Sequence, residues 1–208
     1  MRTESNITKE LSQLTNSNYK EFADYCNCLD NGMRKDGLKH LDEFLNSTKS
    51  WDFKAKATFC NLLFNSSKEG NDLEIVLTTN LSDKFIKPTL LEMTIAEPKN
   101  FLPFKWYGQY FRDTAFLMKA YEIEPNDNST KMLLLASLEN DLWLSTHHLP
   151  DAYSGDFEKD ENDIKLAFTI LATLEKKEEK IVKIFTDFKN EIDTYKSDDE
   201  KNYRQHKY

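Results

Sequence analysis

The sequence has little glycine, proline or cysteine, and this scarcity argues against several classes of protein. Five glycines and five prolines among 208 residues are too few for a collagen-like or loop-rich chain. The three cysteines, Cys26, Cys28 and Cys60, are odd in number and fit a reducing compartment better than a disulfide framework. On a helix, Cys26 and Cys28 would point about 200° apart, which is poor geometry for a shared metal ion.

Long apolar runs and targeting signals are also missing from the sequence. Its first residues, MRTESNITKELSQLTNSNYKEF, have no apolar stretch behind a basic start, so we expect no signal peptide. No segment approaches the roughly 18 apolar residues that are needed to cross a bilayer. We therefore expect a cytoplasmic protein that does not enter a membrane.

The apolar residues recur every three or four positions, which predicts an all-α protein. We expect a helical bundle, or an array of helical hairpins, in a single domain over residues 1–196 with a polar tail over 197–208. Its predicted parts are three N-terminal helices, central helices, and a long helix or hairpin, over about 18–66, 85–147 and 160–196. For the last part we favour one continuous helix over a corner at EKKEEK, because no glycine, proline or asparagine marks a turn there.

Two stretches in the middle of the chain are also predicted to be helical. LEIVLTTNLSDKFI contains β-branched residues, but no partner strand of similar quality follows, so we predict helix there as well. The helix that ends near Thr146 is expected to bury one stripe against the apolar stripe of Ile164 to Ile192. The residues of that buried stripe are Met132, Leu135, Ala136, Leu138, Leu142 and Trp143.

Residues 106–127, WYGQYFRDTAFLMKAYEIEPND, resemble part of a tetratricopeptide repeat. In KAYEIEPND, Ala120 lies five positions before Pro125, as a small residue does in the closing half of such a repeat, and WYGQY is similar to its opening. Trp106 lies 19 residues before Pro125, however, which is too near for a repeat of about 34 residues. The resemblance therefore implies helical-hairpin packing and no particular ligand. With THHLPDAYSGD, this stretch is also similar to uncharacterised bacterial helical proteins.

The stretch STHHLPDAYSGDFEKDEND, from Ser145 to Asp163, combines two adjacent histidines with several carboxylates. His147 and His148 fall at the predicted C-terminal end of a helix, where an imidazole can bond the free carbonyl groups. Adjacent histidines diverge by about 100° on a helix, unlike the i, i+4 pair of an HExxH metal site. We therefore favour a structural role for both; a binding-surface role and a metal or catalytic role are the alternatives. His40 is predicted to lie at the rim of an apolar stripe.

Negative charge is concentrated in one part of the chain. Between Glu122 and Asp163 there are eleven acidic residues and two lysines, hence nine net negative charges, whereas the whole chain has a net charge of −8. A field of one sign attracts a basic protein and speeds association. DNA, RNA and anionic membranes require lysine and arginine instead, so we expect none of them as a partner. The alternative is an acidic surface that only keeps the protein in solution.

The sequence contains none of the common catalytic or nucleotide-binding motifs, GxSxG, GxxxxGK[ST], GxGxxG, HExxH or DxDxDG. We therefore predict a non-enzymatic protein without metal or cofactor that binds a basic protein, most concretely a bacterial immunity protein that neutralises a toxin such as a nuclease. The alternatives are a metal-dependent enzyme that uses the His147 and His148 region, and a tetratricopeptide-like scaffold that binds peptides. The predicted partner-binding residues are Glu139, Asp141, His147, His148, Asp151, Tyr153, Asp156, Glu158, Asp160, Trp106, Tyr107 and Tyr110.

Overall fold

The computed structural model describes residues 7–66, 72–174 and 178–205, and these residues form helices and turns without any strand. The predicted all-α class is therefore confirmed. No helix in this part of the chain is long and apolar enough to cross a membrane.

Eleven α-helices are present in the described residues, the longest of them with 27 and 19 residues. In chain order they are α1 Ile7–Leu11, α2 Lys20–Asp30, α3 Arg34–Ser47, α4 Phe53–Ser66, α5 Thr79–Leu81, α6 Lys87–Ala96, α7 Phe101–Phe111, α8 Thr114–Ile123, α9 Asn128–Thr146, α10 Phe157–Ala172 and α11 Glu179–Gln205. The stretch with β-branched residues forms a 3-10 turn, Asp72–Ile75, then α5 and a π-helical turn, Ser82–Ile86, that leads into α6. Helix α11 includes most of the predicted polar tail; residues 206–208 of that tail lie outside the described residues.

The chain divides into two compact units, Met1–Tyr107 and Gly108–Tyr208, which we call unit 1 and unit 2. The single domain expected over residues 1–196 stays a prediction. In unit 1 an aromatic cluster fills the core, with Phe22 and Phe59 edge to face at 4.9 Å between ring centroids and Phe44 4.9 Å from Phe59. Such aromatic pairs contribute about 0.5–1.5 kcal/mol each beyond the area they bury.

The core of unit 2 is formed by α8, α9, α10 and α11. Helix α9 contributes one row of leucines, which packs against apolar residues of the two helices that follow. The buried members of this core are Leu117, Leu134, Leu135, Leu138, Leu142, Ile164, Ala167, Ile170, Leu171, Phe185 and Ile192.

The buried stripe predicted for α9 is wrong at three positions. Trp143 is 53% exposed and Met132 is 39% exposed, and Ala136 also lies at the surface. The reason is that α9 is apolar on nearly every side, so periodicity alone does not select the face that packs inward. Leu134 and the polar Lys131 are buried instead.

The continuous helix favoured over residues 160–196 is also wrong, because α10 ends at Ala172 and α11 begins at Glu179. Residues 175–177 of EKKEEK lie outside the described residues. The Thr173 hydroxyl donates to the Ile170 carbonyl at 2.7 Å, and the buried Lys131 ammonium of α9 donates to the Thr173 carbonyl at 3.3 Å. A cation at a helix C-terminus satisfies free carbonyl groups and favours the end of the helix at that point.

Candidate protein-binding surface at the end of helix α9

Large apolar side chains are exposed at the C-terminal end of α9. Trp143 is 53% exposed and the adjacent Leu144 is 49% exposed. The Trp143 indole is stacked on the His147 imidazole, with 4.6 Å between ring centroids and 17° between planes, and the His148 ring lies 3.8 Å from that of His147. Positions 143 and 147, like 144 and 148, are i, i+4 neighbours on a helix. We call these four residues the α9-end patch.

His147 is the C-cap residue of α9, which agrees with its predicted position at the C-terminal end of a helix. Its Nδ1 lies 2.9 Å from the Leu144 carbonyl oxygen and 3.2 Å from that of Trp143. Carbonyl oxygens only accept, so Nδ1 carries the hydrogen and donates it to these helix-terminal groups. This bond holds the imidazole under the Trp143 ring, and both histidine side chains are exposed.

The loop after α9 folds back over the end of that helix. Ser154 donates through its backbone N–H to the Ser145 carbonyl at 3.2 Å, and its hydroxyl donates to the Leu144 carbonyl at 2.9 Å. Gly155 approaches α9 so closely that an added Cβ would lie 2.5 Å from Ser145 Oγ and 2.4 Å from Asp160 Oδ2. The absence of a side chain at position 155 lets the loop lie close against α9, and the hydrogen bonds of Ser154 hold it beside the α9-end patch.

Asp160, predicted to face a partner, is instead 1% exposed. It accepts a hydrogen bond from the Tyr153 hydroxyl, and the Tyr153 ring stacks on Phe157 at 4.1 Å between centroids. Burial, followed by the hydrogen bond to Asp160, raises the pKa of Tyr153. A buried carboxylate must be hydrogen-bonded to persist, so Asp160 and Tyr153 anchor the loop and Asp160 does not contact a partner.

Two more carboxylates of unit 2 are used inside the fold. Lys159 Nζ lies 2.6 Å from Asp163 Oδ2 and 3.7 Å from Asp141 Oδ2, and Asp141 also accepts from Thr114 at 3.1 Å. Burial raises the pKa of Asp163 although Lys159 acts to lower it. Burial lowers the Lys159 pKa, but the bond to Asp163 and the neighbouring carboxylates outweigh this and raise it. The net charge counted from sequence therefore overstates the acidity of the surface.

The acidic side chains exposed on the loop after α9 and on the first turn of α10 are Asp151, Asp156 and Glu158. Asp151 follows His148 directly in the loop, with its N–H bonded to the His148 carbonyl at 3.0 Å. Asp156 is the N-cap of α10 and accepts from the Lys159 N–H at 3.0 Å. Glu139 is half-buried on α9.

The aromatic residues of the tetratricopeptide-like stretch are not available as predicted. Trp106 and Tyr107 are 6% and 7% exposed, and Trp106 stacks on Phe64 within unit 1 at 4.9 Å between ring centroids. Tyr110 is half-buried. Buried rings cannot line an open peptide groove, because a partner would have to displace the core to reach them. The exposed Trp143 is the aromatic side chain that sequence analysis missed.

In the part of the chain that the structure describes, His147 and His148 do not belong to a group of possible metal ligands. Within residues 7–66, 72–174 and 178–205, the histidine and carboxylate atoms that lie close enough together to share a metal ion are those of Glu21, Asp24 and His40 in unit 1. His147 uses Nδ1 to bond helix carbonyls, and this agrees with a structural role. The i, i+3 spacing of Glu21 and Asp24 indicates in the sequence that these two carboxylates are neighbours on a helix. No pattern in the sequence indicates that His40 lies beside them.

No protein-family model matches this sequence, and comparisons with curated proteins and with solved structures find no match either. The tetratricopeptide-like and immunity-protein-like resemblances stay predictions.

Proposed function

We propose that this protein is a non-enzymatic binding protein that holds a basic protein partner on the α9-end patch of unit 2. The observation that carries the proposal is the exposure of Trp143 beside Leu144 at the surface. Exposed apolar side chains that are clustered and rimmed by polar residues are typical of protein interaction sites. Tryptophan is also enriched among the few residues that supply most of the free energy of protein association.

The surroundings of the patch favour a rigid docking surface. Trp143 is already stacked on His147, and His147 is bonded to the helix end, so binding would cost little side-chain entropy. The loop that carries Asp151 and Asp156 is fixed by Ser154 and Gly155. An apolar centre with a polar rim is the usual anatomy of a protein interface.

The exposed carboxylates near the patch favour a partner that carries positive charge. Asp151, Asp156 and Glu158 are exposed on the loop and the first turn of α10. Carboxylates at the edge of an interface steer a basic protein toward it and repel an acidic one. The most concrete form of the proposal is a bacterial immunity protein that occludes a basic toxin such as a nuclease.

Site-specific cross-linking tests this proposal. A photo-reactive amino acid replaces Leu144 in one variant and Ile95 in a control variant, since Ile95 of unit 1 is 81% exposed. In extract of the source cells we expect position 144 to capture a basic protein that position 95 does not capture, and an excess of wild-type protein to compete for it. Equal capture at both positions, or capture of an acidic protein at 144, contradicts the proposal.

The toxin-neutralising form has a test of its own. The captured partner is expressed alone and then together with the wild-type protein in a laboratory host. We expect growth to stop in the first case and to return in the second, and the Trp143→Ala variant to restore it poorly. A captured partner that is harmless when expressed alone leaves the binding proposal intact but contradicts the immunity form.

A further inference from the structure

A histidine and two carboxylates from neighbouring helices meet on unit 1, far along the chain from the α9-end patch. Glu21 and Asp24 are one turn apart on α2, and His40 lies on α3. The ligand atoms of the three side chains all lie within 4.8 Å of one another. The closest pair is His40 Nδ1 and Glu21 Oε2, which are 2.8 Å apart.

These separations are close to those of a metal site. Zinc binds histidine nitrogen and carboxylate oxygen at about 2.0–2.2 Å, so two ligands of a tetrahedral ion lie about 3.3 Å apart. A bound ion would have to bring the three atoms, which now lie within 4.8 Å of one another, to about that separation. Each side chain is about one-third exposed, at 30% for Glu21, 39% for Asp24 and 35% for His40, so an ion can enter and keep a water ligand.

Glu43 lies one helical turn after His40 on α3, just as Asp24 lies one turn after Glu21 on α2. Residues three positions apart are neighbours on the surface of a helix, so the exposed Glu43 side chain leaves α3 on the same side as His40.

A lysine, Lys20, lies beside the cluster and competes with a metal ion for its carboxylates. Its Nζ lies 3.6 Å from Asp24 Oδ2 and 3.7 Å from Glu21 Oε1, beyond hydrogen-bonding distance, and its side chain is 72% exposed. Exposed ion pairs of this kind contribute little to stability, about 0–1 kcal/mol. A doubly charged ion can therefore displace the ammonium group into solvent.

We propose that Glu21, Asp24 and His40 form a binding site for a divalent transition-metal ion of the zinc class. An imidazole with carboxylates suits zinc and its neighbours in the first transition row, whereas magnesium and calcium prefer oxygen ligands alone. Water completes the coordination. The proposal departs from the predicted absence of any metal and leaves the predicted structural role of His147 and His148 unchanged.

Metal titration of the untagged full-length protein tests the site. Zn²⁺ affinity is measured by competition with a chromophoric chelator, and Co²⁺ is added separately to record its visible spectrum. We expect His40→Gln and Asp24→Asn to weaken Zn²⁺ binding at least about tenfold. Asp36→Asn, which alters an exposed carboxylate of α3 bonded to Lys39, and the double variant His147→Gln with His148→Gln are controls that should bind as the wild type does.

A gain-of-affinity variant separates a metal site from an ordinary cluster of ion pairs. Lys20→Gln removes the competing cation from an exposed position without disturbing the fold, and we expect it to tighten Zn²⁺ binding severalfold. Unchanged affinity in Lys20→Gln, or equal affinity in wild type and His40→Gln, overturns the proposal. A Co²⁺ spectrum with thiolate character overturns it as well, because it places the ion on cysteine.

Discussion

Trp143 and His147 form a stacked pair on the surface of α9, with 4.6 Å between ring centroids. Because the indole is 53% exposed, its removal leaves no cavity in the core, and we expect Trp143→Ala to change the free energy of unfolding by about 1 kcal/mol or less. The same change should weaken binding of the cross-linked partner by about 2 kcal/mol or more. Thermal unfolding and calorimetric titration measure the two effects, with Ile95→Ala as the control that leaves both unchanged. A large loss of stability without loss of affinity would show that the ring is part of the fold and not of an interface.

The close approach of Gly155 predicts that the loop beside the patch is intolerant of a side chain. In Gly155→Ala the added methyl group would overlap Ser145 and Asp160, and Asp160 cannot move without losing its bond to Tyr153. We expect a loss of about 1–3 kcal/mol of stability, the usual cost of an overpacked site. Ala152→Ser in the same loop is exposed and should have almost no effect in urea unfolding. Equal stability of the two variants contradicts the tight packing.

Periodicity predicted the all-α class because amphipathic spacing is a local property of the chain. It did not predict the break between α10 and α11, since Thr173 is capped by Lys131, a residue 42 positions away. Nor did it predict the exposed face of α9, where apolar residues occur on both sides and neighbouring helices decide which side is buried.

The candidate site was predictable in part. His147 and Asp156 could be placed at the ends of helices, since capping depends on residues a few positions apart. The burial of Asp160 and the contact between His40 and Glu21 depend on how neighbouring helices pack. Local sequence patterns do not specify which residues of two helices face each other.

Asp163 and Glu161 predict opposite contributions to the pH dependence of stability. Burial raises the folded-state pKa of Asp163, so the folded chain holds that proton more tightly; the resulting stability is present at low pH and is lost as pH rises through the raised pKa. The bond to Lys196 lowers the pKa of Glu161, so its contribution is present above the ordinary pKa and is lost as pH falls.

Urea unfolding of wild type, Asp163→Asn and Glu161→Gln on both sides of the ordinary carboxyl pKa checks these signs. Relative to Asp163→Asn, wild type should lose stability as pH rises. Relative to Glu161→Gln, it should gain stability, by a smaller amount because Glu161 is solvated. A difference of the same sign for both variants contradicts the assignment.

The core cysteines of unit 1 are predicted to be unreactive in the folded protein. Burial raises the pKa of both Cys26 and Cys60 to about 12, so almost no thiolate is present near neutral pH. We expect a thiol reagent to modify these two residues only after denaturant is added, with the modified positions located by mass spectrometry. Modification of either one as fast in buffer as in denaturant would show that the core opens readily.

Exposed carboxylates should raise the rate at which the partner associates. Asp151, Asp156 and Glu158 are exposed on the loop after α9 and the first turn of α10, and charges of one sign at an interface raise association rates by one or more orders of magnitude at low salt. Asp160 is excluded from the variant because it is buried. Replacing the three by Asn, Asn and Gln should keep the helix cap at 156, because asparagine caps as well as aspartate.

We therefore expect the triple variant to unfold at the wild-type temperature, to associate about tenfold more slowly in low salt and to dissociate at nearly the wild-type rate. Its association rate should also depend less on salt, since screening acts over about 8–10 Å at physiological ionic strength. Stopped-flow measurements compare it with a control that neutralises three exposed acids of unit 1, Asp42, Glu74 and Glu92, and so changes the net charge equally. If the control slows association as much as the triple variant does, the overall charge of the protein attracts the partner. The acids at positions 151, 156 and 158 then contribute no more to the association rate than acids elsewhere.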